Sequence, residues 1–161
     1  MSETAPARTL SLEALRLAAL EIGTAEVPPG SNRGPRVEVY QRGYDGAEYL
    51  VGQRWCARFA RWCFETAAKN LGVPSPFAGW KSDLASALKW REQSRLRRCW
   101  TSTPAPGRVA LHLTDSGAGH VTIVESVEQG MVVSVGGNEA DAVRRIKRPV
   151  AYYSGGFVEV G

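Results

Sequence analysis

Gln53-Arg54-Trp55-Cys56-Ala57-Arg58-Phe59-Ala60-Arg61-Trp62-Cys63-Phe64-Glu65-Thr66 is the stretch whose reading decides the fold. At 3.6 residues per turn, Cys56, Phe59, Ala60, Cys63 and Ala67 fall on one face, and Arg54, Arg58, Arg61, Glu65 and Lys69 on the other. The pattern predicts an amphipathic helix with one face in the core and the other in water. Cys56 stands in its opening turn, where unpaired backbone N–H groups and the positive end of the helix dipole favour a thiolate over a thiol. That makes Cys56 a candidate nucleophile. A free cysteine is also a common small core hydrophobe, and Cys63, two turns into the helix, reads as that alone.

Outward from this helix, the chain of 161 residues is long enough to bury a core without disulfides or metal. With 43% apolar and 22% charged residues it has the composition of an ordinary folded protein, not of a disordered or collagenous one. Lys and Arg exceed Asp and Glu by 20 to 16, a mild bias toward polyanionic surroundings such as a cell-wall polymer or membrane surface. No zinc-finger spacing or aromatic RNA-binding signature accompanies the charge, so nucleic acid is not an expected partner. Three cysteines, an odd number, leave at least one thiol free; pairing of Cys63 with Cys99 stays open. The N-terminal residues carry an acid where a signal peptide has positive charge, and no run approaches a membrane span. The expectation is synthesis in the cytoplasm, with any wall target reached by lysis or a dedicated export machine, and no stable membrane insertion.

Residues 1–9 read as a flexible tail and 10–161 as one domain. Ser11 is expected to cap a helix through Ile22, with Leu12, Leu15, Ala19 and Ile22 inward. From Glu26 to Tyr40, three prolines and two glycines predict a long loop, a kind that is more often functional than idle. Ser82 is expected to open a further helix to about Glu92, followed by a basic cluster, Arg91, Arg95, Arg97 and Arg98, read as a solvated surface able to meet an anionic polymer. From Gly107 the period changes to two. Strands are predicted over 108–113, 120–127, 131–135 and 146–153, with a short one at 157–160 and a hairpin turn at Glu128-Gln129-Gly130. Helices first and an antiparallel sheet of about four to six strands second make an α+β fold.

A cysteine nucleophile needs a base, and the chain has two histidines. His112 sits inside an alternating strand, opposite Val109, Leu111 and Leu113; His120 opens a strand after Asp-Ser-Gly-Ala-Gly and is the better placed to reach a helix end. A third group must fix the imidazole tautomer. Asn138, after Val-Ser-Val-Gly-Gly, ends the strand that the hairpin lays beside His120, and the two glycines are expected to let the backbone bend there. Glu125, an odd number of residues from His120, faces the opposite side of the strand.

Trp-Cys-Ala-x-Phe, Gly-His-Val-x-Ile-Val-Glu and Gly-Gly-Asn stand in that order, with Pro29-Gly30-Ser31-Asn32 ahead of the cysteine helix. In these motifs the chain resembles the CHAP group, the cysteine, histidine-dependent amidohydrolases/peptidases of the NlpC-like, papain-related superfamily, and it is similar to a branch of small bacterial and phage proteins. The resemblance implies a papain-like fold and cleavage of an amide bond in bacterial peptidoglycan through a thioacyl intermediate. The enzyme would be an N-acetylmuramoyl-L-alanine amidase or a stem-peptide endopeptidase. Cys56 is then the nucleophile, His120 the general base, and Asn138 or a nearby acid the orienting group. Many relatives carry an acid where Gly136 stands here. Gln53 is an oxyanion candidate beside the Cys56 N–H, and Asn32, Tyr40, Trp55 and Trp80 are candidates for lining the substrate cleft. Some relatives bind calcium on acidic loops, but Glu38, Asp45 and Glu48 are scattered, so neither metal nor cofactor is expected. The resemblance further implies a monomer acting as a phage lysin (endolysin) or an antibacterial effector, the latter facing an immunity or inhibitor protein. Two other readings are a non-catalytic wall-binding module of the same fold and an intracellular cysteine amidase on a small molecule.

Overall fold

Among the described residues four α-helices precede a six-stranded sheet, and the helix that begins at Cys56 packs against parts of both. The computed structural model describes residues 9–116 and 118–161; the tail expected over 1–9 lies, for residues 1–8, outside them. The order is α1 (Leu10–Leu20), α2 (Pro35–Arg42), α3 (Cys56–Leu71), α4 (Ala87–Leu96), then β1 (Trp100–Thr101), β2 (Val109–Leu113), β3 (Gly119–Glu128), β4 (Met131–Glu139), β5 (Ala142–Pro149) and β6 (Gly156–Val158). The sheet runs β1-β6-β2-β3-β4-β5, antiparallel throughout. This is the α+β architecture expected. Among the described residues no helix is long and apolar enough to cross a membrane.

The cap of helix α1 lies two residues before the expected Ser11, because the Thr9 hydroxyl accepts the Leu12 N–H at 3.3 Å. Its buried face is correspondingly rotated: Ala14 and Ala18 are inward, and Leu12 is exposed. The stretch expected to be a loop to Tyr40 contains helix α2. Pro35 occupies its first position, where a proline lacks only an N–H that would have no partner, and Gly34 supplies the φ of 141° that the entry requires. Ser86, not Ser82, caps α4 by accepting the Lys89 N–H. Ser82 instead takes the Leu84 N–H in a turn. The strand expected from Ile146 begins at Ala142 and stops at Pro149, and the short β1 at Trp100–Thr101 lies outside every predicted strand.

Helix α3 runs to Leu71 and ends on Gly72 in the left-handed region, φ 68°. It packs against α1, α2, β3 and β4. Its amphipathy is not the simple division expected, since Arg58, assigned to the wet face, is 1% exposed. Tyr40, Trp55, Phe59 and Trp62 form one aromatic cluster, with Tyr40 5.7 Å from Trp55 and 4.9 Å from Phe59. Phe77, Trp80 and Trp90 form another, and the Trp90 indole N–H donates to Ala57 O at 3.3 Å, pinning α4 against the first turn of α3. A smaller core of Ala110, Val124, Val132, Tyr153 and Phe157 is separate from the main one.

Candidate active site

Cys56 occupies the first helical position of α3, 7% exposed, at a cleft of about 70 Å³ lined by Arg54, Cys56, residues 85–87, Ala118 and Gly119. His120 enters at the start of β3, near enough to Cys56 for the sulfur to raise the imidazole pKa. Two glycines make this approach possible. A Cβ on Gly137 would fall 2.7 Å from the Trp55 ring and 2.8 Å from Phe59 Cβ, so β4 lies directly on the first turn of α3 only because that position has no side chain. A Cβ on Gly119 would fall 2.2 Å from His112 O and 2.9 Å from Ala87 Cβ, so the start of β3 closes on α4 and β2 in the same way.

The group that orients His120 is Glu139. Nε2 of His120 and Oε1 of Glu139 are 2.6 Å apart, which leaves Nδ1 for the sulfur. Asn138, expected to orient the ring through its amide, instead occupies the turn position itself. Its backbone is left-handed, φ 56°, a conformation asparagine tolerates better than most residues, and the bend brings the next side chain onto the imidazole. The bend expected at the two glycines therefore lies at Asn138; Gly136 and Gly137 serve close packing.

Burial disfavours the imidazolium, but hydrogen bonds and charge from Cys56 and Glu139 outweigh it, and the His120 pKa is pushed up to about 9. Burial acts to raise the Glu139 carboxyl, yet hydrogen bonds from Arg148 and His120 and their charges hold it down at about 2. His120 thus contributes stability that is complete below its ordinary value near 6.5 and is lost as pH rises through about 9. Glu139 contributes stability that is complete above about 4.5 and is lost as pH falls toward about 2. The expected result is a melting temperature with a plateau between about pH 4.5 and 6.5 as far as this pair is concerned, and a His120 ring that titrates near pH 9 by NMR. In Cys56→Ala, which removes the foremost upward influence, the ring should titrate lower; an unchanged midpoint would show that sulfur and imidazole do not interact.

The other expected site residues lie elsewhere. Tyr40 and Trp55 are fully buried and belong to the core, with the Trp55 indole N–H donating to Glu26 Oε1 at 2.9 Å, so neither lines the cleft. Trp80 packs on Phe77 and Trp90 at ring distances of 5.1 and 6.2 Å, outside the cleft lining. Asn32 is half-buried in a left-handed turn, φ 54°, and its carbonyl accepts from Gln41 Nε2 at 2.7 Å. Gln53 is exposed, also outside the lining, and its carbonyl accepts from the same Gln41 nitrogen at 2.8 Å. The Pro29–Asn32 loop is thus tied through Gln41 to the approach of α3. His112, the histidine not chosen, sits directly across the β2–β3 ladder from His120 and uses Nδ1 on Tyr152 O at 2.7 Å. Glu125 pairs with Arg145, away from the site.

Glu38 lies against Arg33 and Arg42, Glu48 against Arg42, and Asp45 against Arg58 and Arg61. Among the described residues no group of three or more His, Cys, Asp or Glu side chains converges as a metal site. All three cysteines are free thiols; burial raises the Cys63 thiol well above its ordinary value, in keeping with a core role.

Sequence reasoning leaves the orienting group as Asn138 or a nearby acid without pointing to Glu139, and it does not find the wall of the cleft. The signal for Glu139 was an acid beside the expected asparagine, but strand alternation places neighbouring residues on opposite faces, and only the positive φ at Asn138 cancels that rule here.

No match to this chain is found among curated proteins. Two solved structures share its fold: the crystal structure of Ly7917, at 19% identity and a TM-score of 0.51, and the crystal structure of Ly7917 with the hydrolyzing product of MDP, at 21% identity and 0.51. They are aligned over 94% and 93% of this chain, which spans 61% of the length of each. The CHAP domain family matches residues 48–138, more than half of the chain, from the approach to α3 through Asn138. With a papain-like fold and a cysteine at a helix start facing a strand histidine, the chain belongs to the CHAP family.

Proposed function

We propose that this chain is a cysteine hydrolase of bacterial peptidoglycan, with Cys56 as nucleophile, His120 as base and acid, and Glu139 as the orienting carboxylate. The observation that carries the reading is the place of one imidazole between two groups: His120 meets Glu139 at 2.6 Å on one edge and lies near enough to the Cys56 side chain for the sulfur to raise its pKa. A structural or wall-binding role has no need of that arrangement. The substrate assignment draws support from the family and from Ly7917, whose structure holds the hydrolyzing product of MDP, a peptidoglycan fragment. The cleft beside Cys56 is walled by small residues, Ala85, Ala87, Ala118 and Gly119.

The chemistry follows from the positions. The Cys56 sulfur attacks the carbonyl carbon of the scissile amide, and the oxyanion forms beside the backbone N–H groups at the start of α3. The imidazolium of His120 gives its proton to the departing amine as the C–N bond breaks, leaving a thioacyl-enzyme and a neutral ring. Water then attacks the thioester, losing a proton to His120, and the sulfur leaves. Glu139 stabilises the imidazolium at both stages.

Digestion of defined muropeptides followed by mass spectrometry tests the reading. A freed lactyl carboxyl with a new L-alanine N-terminus assigns an amidase, and a new amine within the stem assigns an endopeptidase. Intact muropeptides and intact sacculi after prolonged incubation with folded enzyme would overturn it.

A further inference from the structure

A fourth side chain is built into the site. Arg148 lies on β5, and its guanidinium grips both carboxylate oxygens of Glu139: Nη1 is 2.7 Å from Oε1 and Nη2 is 2.7 Å from Oε2. Oε1 is the same oxygen that meets His120 Nε2. The Glu139 side chain is 7% exposed, so protein groups rather than solvent fix its orientation. A two-pronged guanidinium–carboxylate pair sets both the position and the plane of the carboxylate, which a single hydrogen bond does not.

Arg148 is fixed in turn. Its Cζ lies 4.7 Å from the centroid of the Tyr152 ring, and that ring stacks on His112 at 4.0 Å with a 7° interplanar angle. His112 Nδ1–H donates to Tyr152 O at 2.7 Å, locking the pair. The second histidine of the chain, which the reaction does not use, thereby supports the far end of a continuous series: Cys56, His120, Glu139, Arg148, Tyr152, His112.

We propose that Arg148 is a positioning residue of the reaction: it holds the Glu139 carboxylate on Nε2 of His120, so that Nδ1 stays aimed at the Cys56 sulfur, and the Tyr152–His112 stack keeps Arg148 in place. This rests on the hydrolase reading for its kinetic consequences but not for its effect on the thiol. The competing account is a salt bridge between neighbouring strands that stabilises the sheet and does nothing more.

The two accounts separate on iodoacetamide alkylation of Cys56, followed against pH at the level of the Cys56 peptide by mass spectrometry, which needs no substrate. In Arg148→Met the pH at which reactivity rises should move up by about one unit, with a roughly tenfold lower rate at pH 7. On muropeptides kcat should fall about 10- to 100-fold, the range typical of lost outer-shell support, with KM within about twofold. Arg148→Lys keeps the charge without the fork and should fall between; Tyr152→Leu should move the profile in the same direction by less. A folded Arg148→Met that melts earlier but alkylates with the wild-type rate and midpoint would overturn the proposal. If that variant does not fold, unchanged profiles in both Arg148→Lys and Tyr152→Leu overturn it equally. Failure of the chain to cut muropeptides leaves the alkylation result standing and bears on the hydrolase reading alone.

Discussion

Cys56→Ala is expected to reduce release of wall fragments from purified sacculi by about 10⁴-fold or more, to the background of the buffer. The substitution removes only a sulfur from a site that is 7% exposed, and alanine is at home in the first turn of a helix, so the fold should survive. The size of the loss is what distinguishes roles. Removal of a single oxyanion donor costs about 10² to 10³ in turnover, whereas removal of the atom that forms the covalent intermediate leaves no path through a thioacyl-enzyme. His120→Ala should lose nearly as much, and the double variant little more than either, because nucleophile and base act as one unit. Turbidity and amine release from sacculi, with circular dichroism to verify folding, provide the measurement. Residual hydrolysis within tenfold of wild type would remove Cys56 from the reaction and leave the Cys56–His120 contact as packing.

Much of this site was legible because local rules suffice for it. The position of Cys56 at the start of a helix follows from periodicity, and the preference for His120 over His112 follows from its place at a strand mouth; both groups meet in the structure. The hairpin at Gln129-Gly130, with both residues at positive φ, was readable from turn chemistry. What was illegible depended on tertiary partners. Arg58 reads as a surface charge because nothing local says that three carbonyls and a carboxylate will surround it. Tyr40 and Trp55 are candidates for the cleft on sequence although aromatics are more often core, and the structure buries both, Tyr40 on helix α2, which the prolines concealed. Glu139 was hidden by one left-handed residue, and Arg148 by its distance along the chain from everything it serves.

Arg58→Met is expected to destabilise the protein by about 3–5 kcal/mol, the usual cost of removing one partner from a buried, hydrogen-bonded charge cluster. The guanidinium is 1% exposed. Its Nε donates to Gln41 O at 3.1 Å, its Nη2 to Arg42 O at 2.9 Å and its Nη1 to Asp83 O at 2.6 Å, and both terminal nitrogens meet the Asp45 carboxylate. Methionine fills a similar volume and donates nothing, so three carbonyls and a carboxylate lose their donor at once. Asp45 keeps part of its solvation, being 33% exposed, and retains Arg61 at 3.6 Å, which holds the cost near this range rather than above it. For a chain of 161 residues the melting temperature should drop by roughly 10 °C. The consequence reaches the chemistry because Asp83 stands immediately before Leu84 and the 85–87 wall of the cleft, and is itself tied to Tyr49 and Lys89 at 2.9 Å each. With Arg58 gone, hydrogen exchange should speed up at residues 83–87 well below the melting transition, and KM for muropeptides should rise more than kcat falls. A variant that melts within about 2 °C of wild type would mean that water replaces the guanidinium at all four acceptors, and that helix α3 needs no anchor to the wall of the cleft.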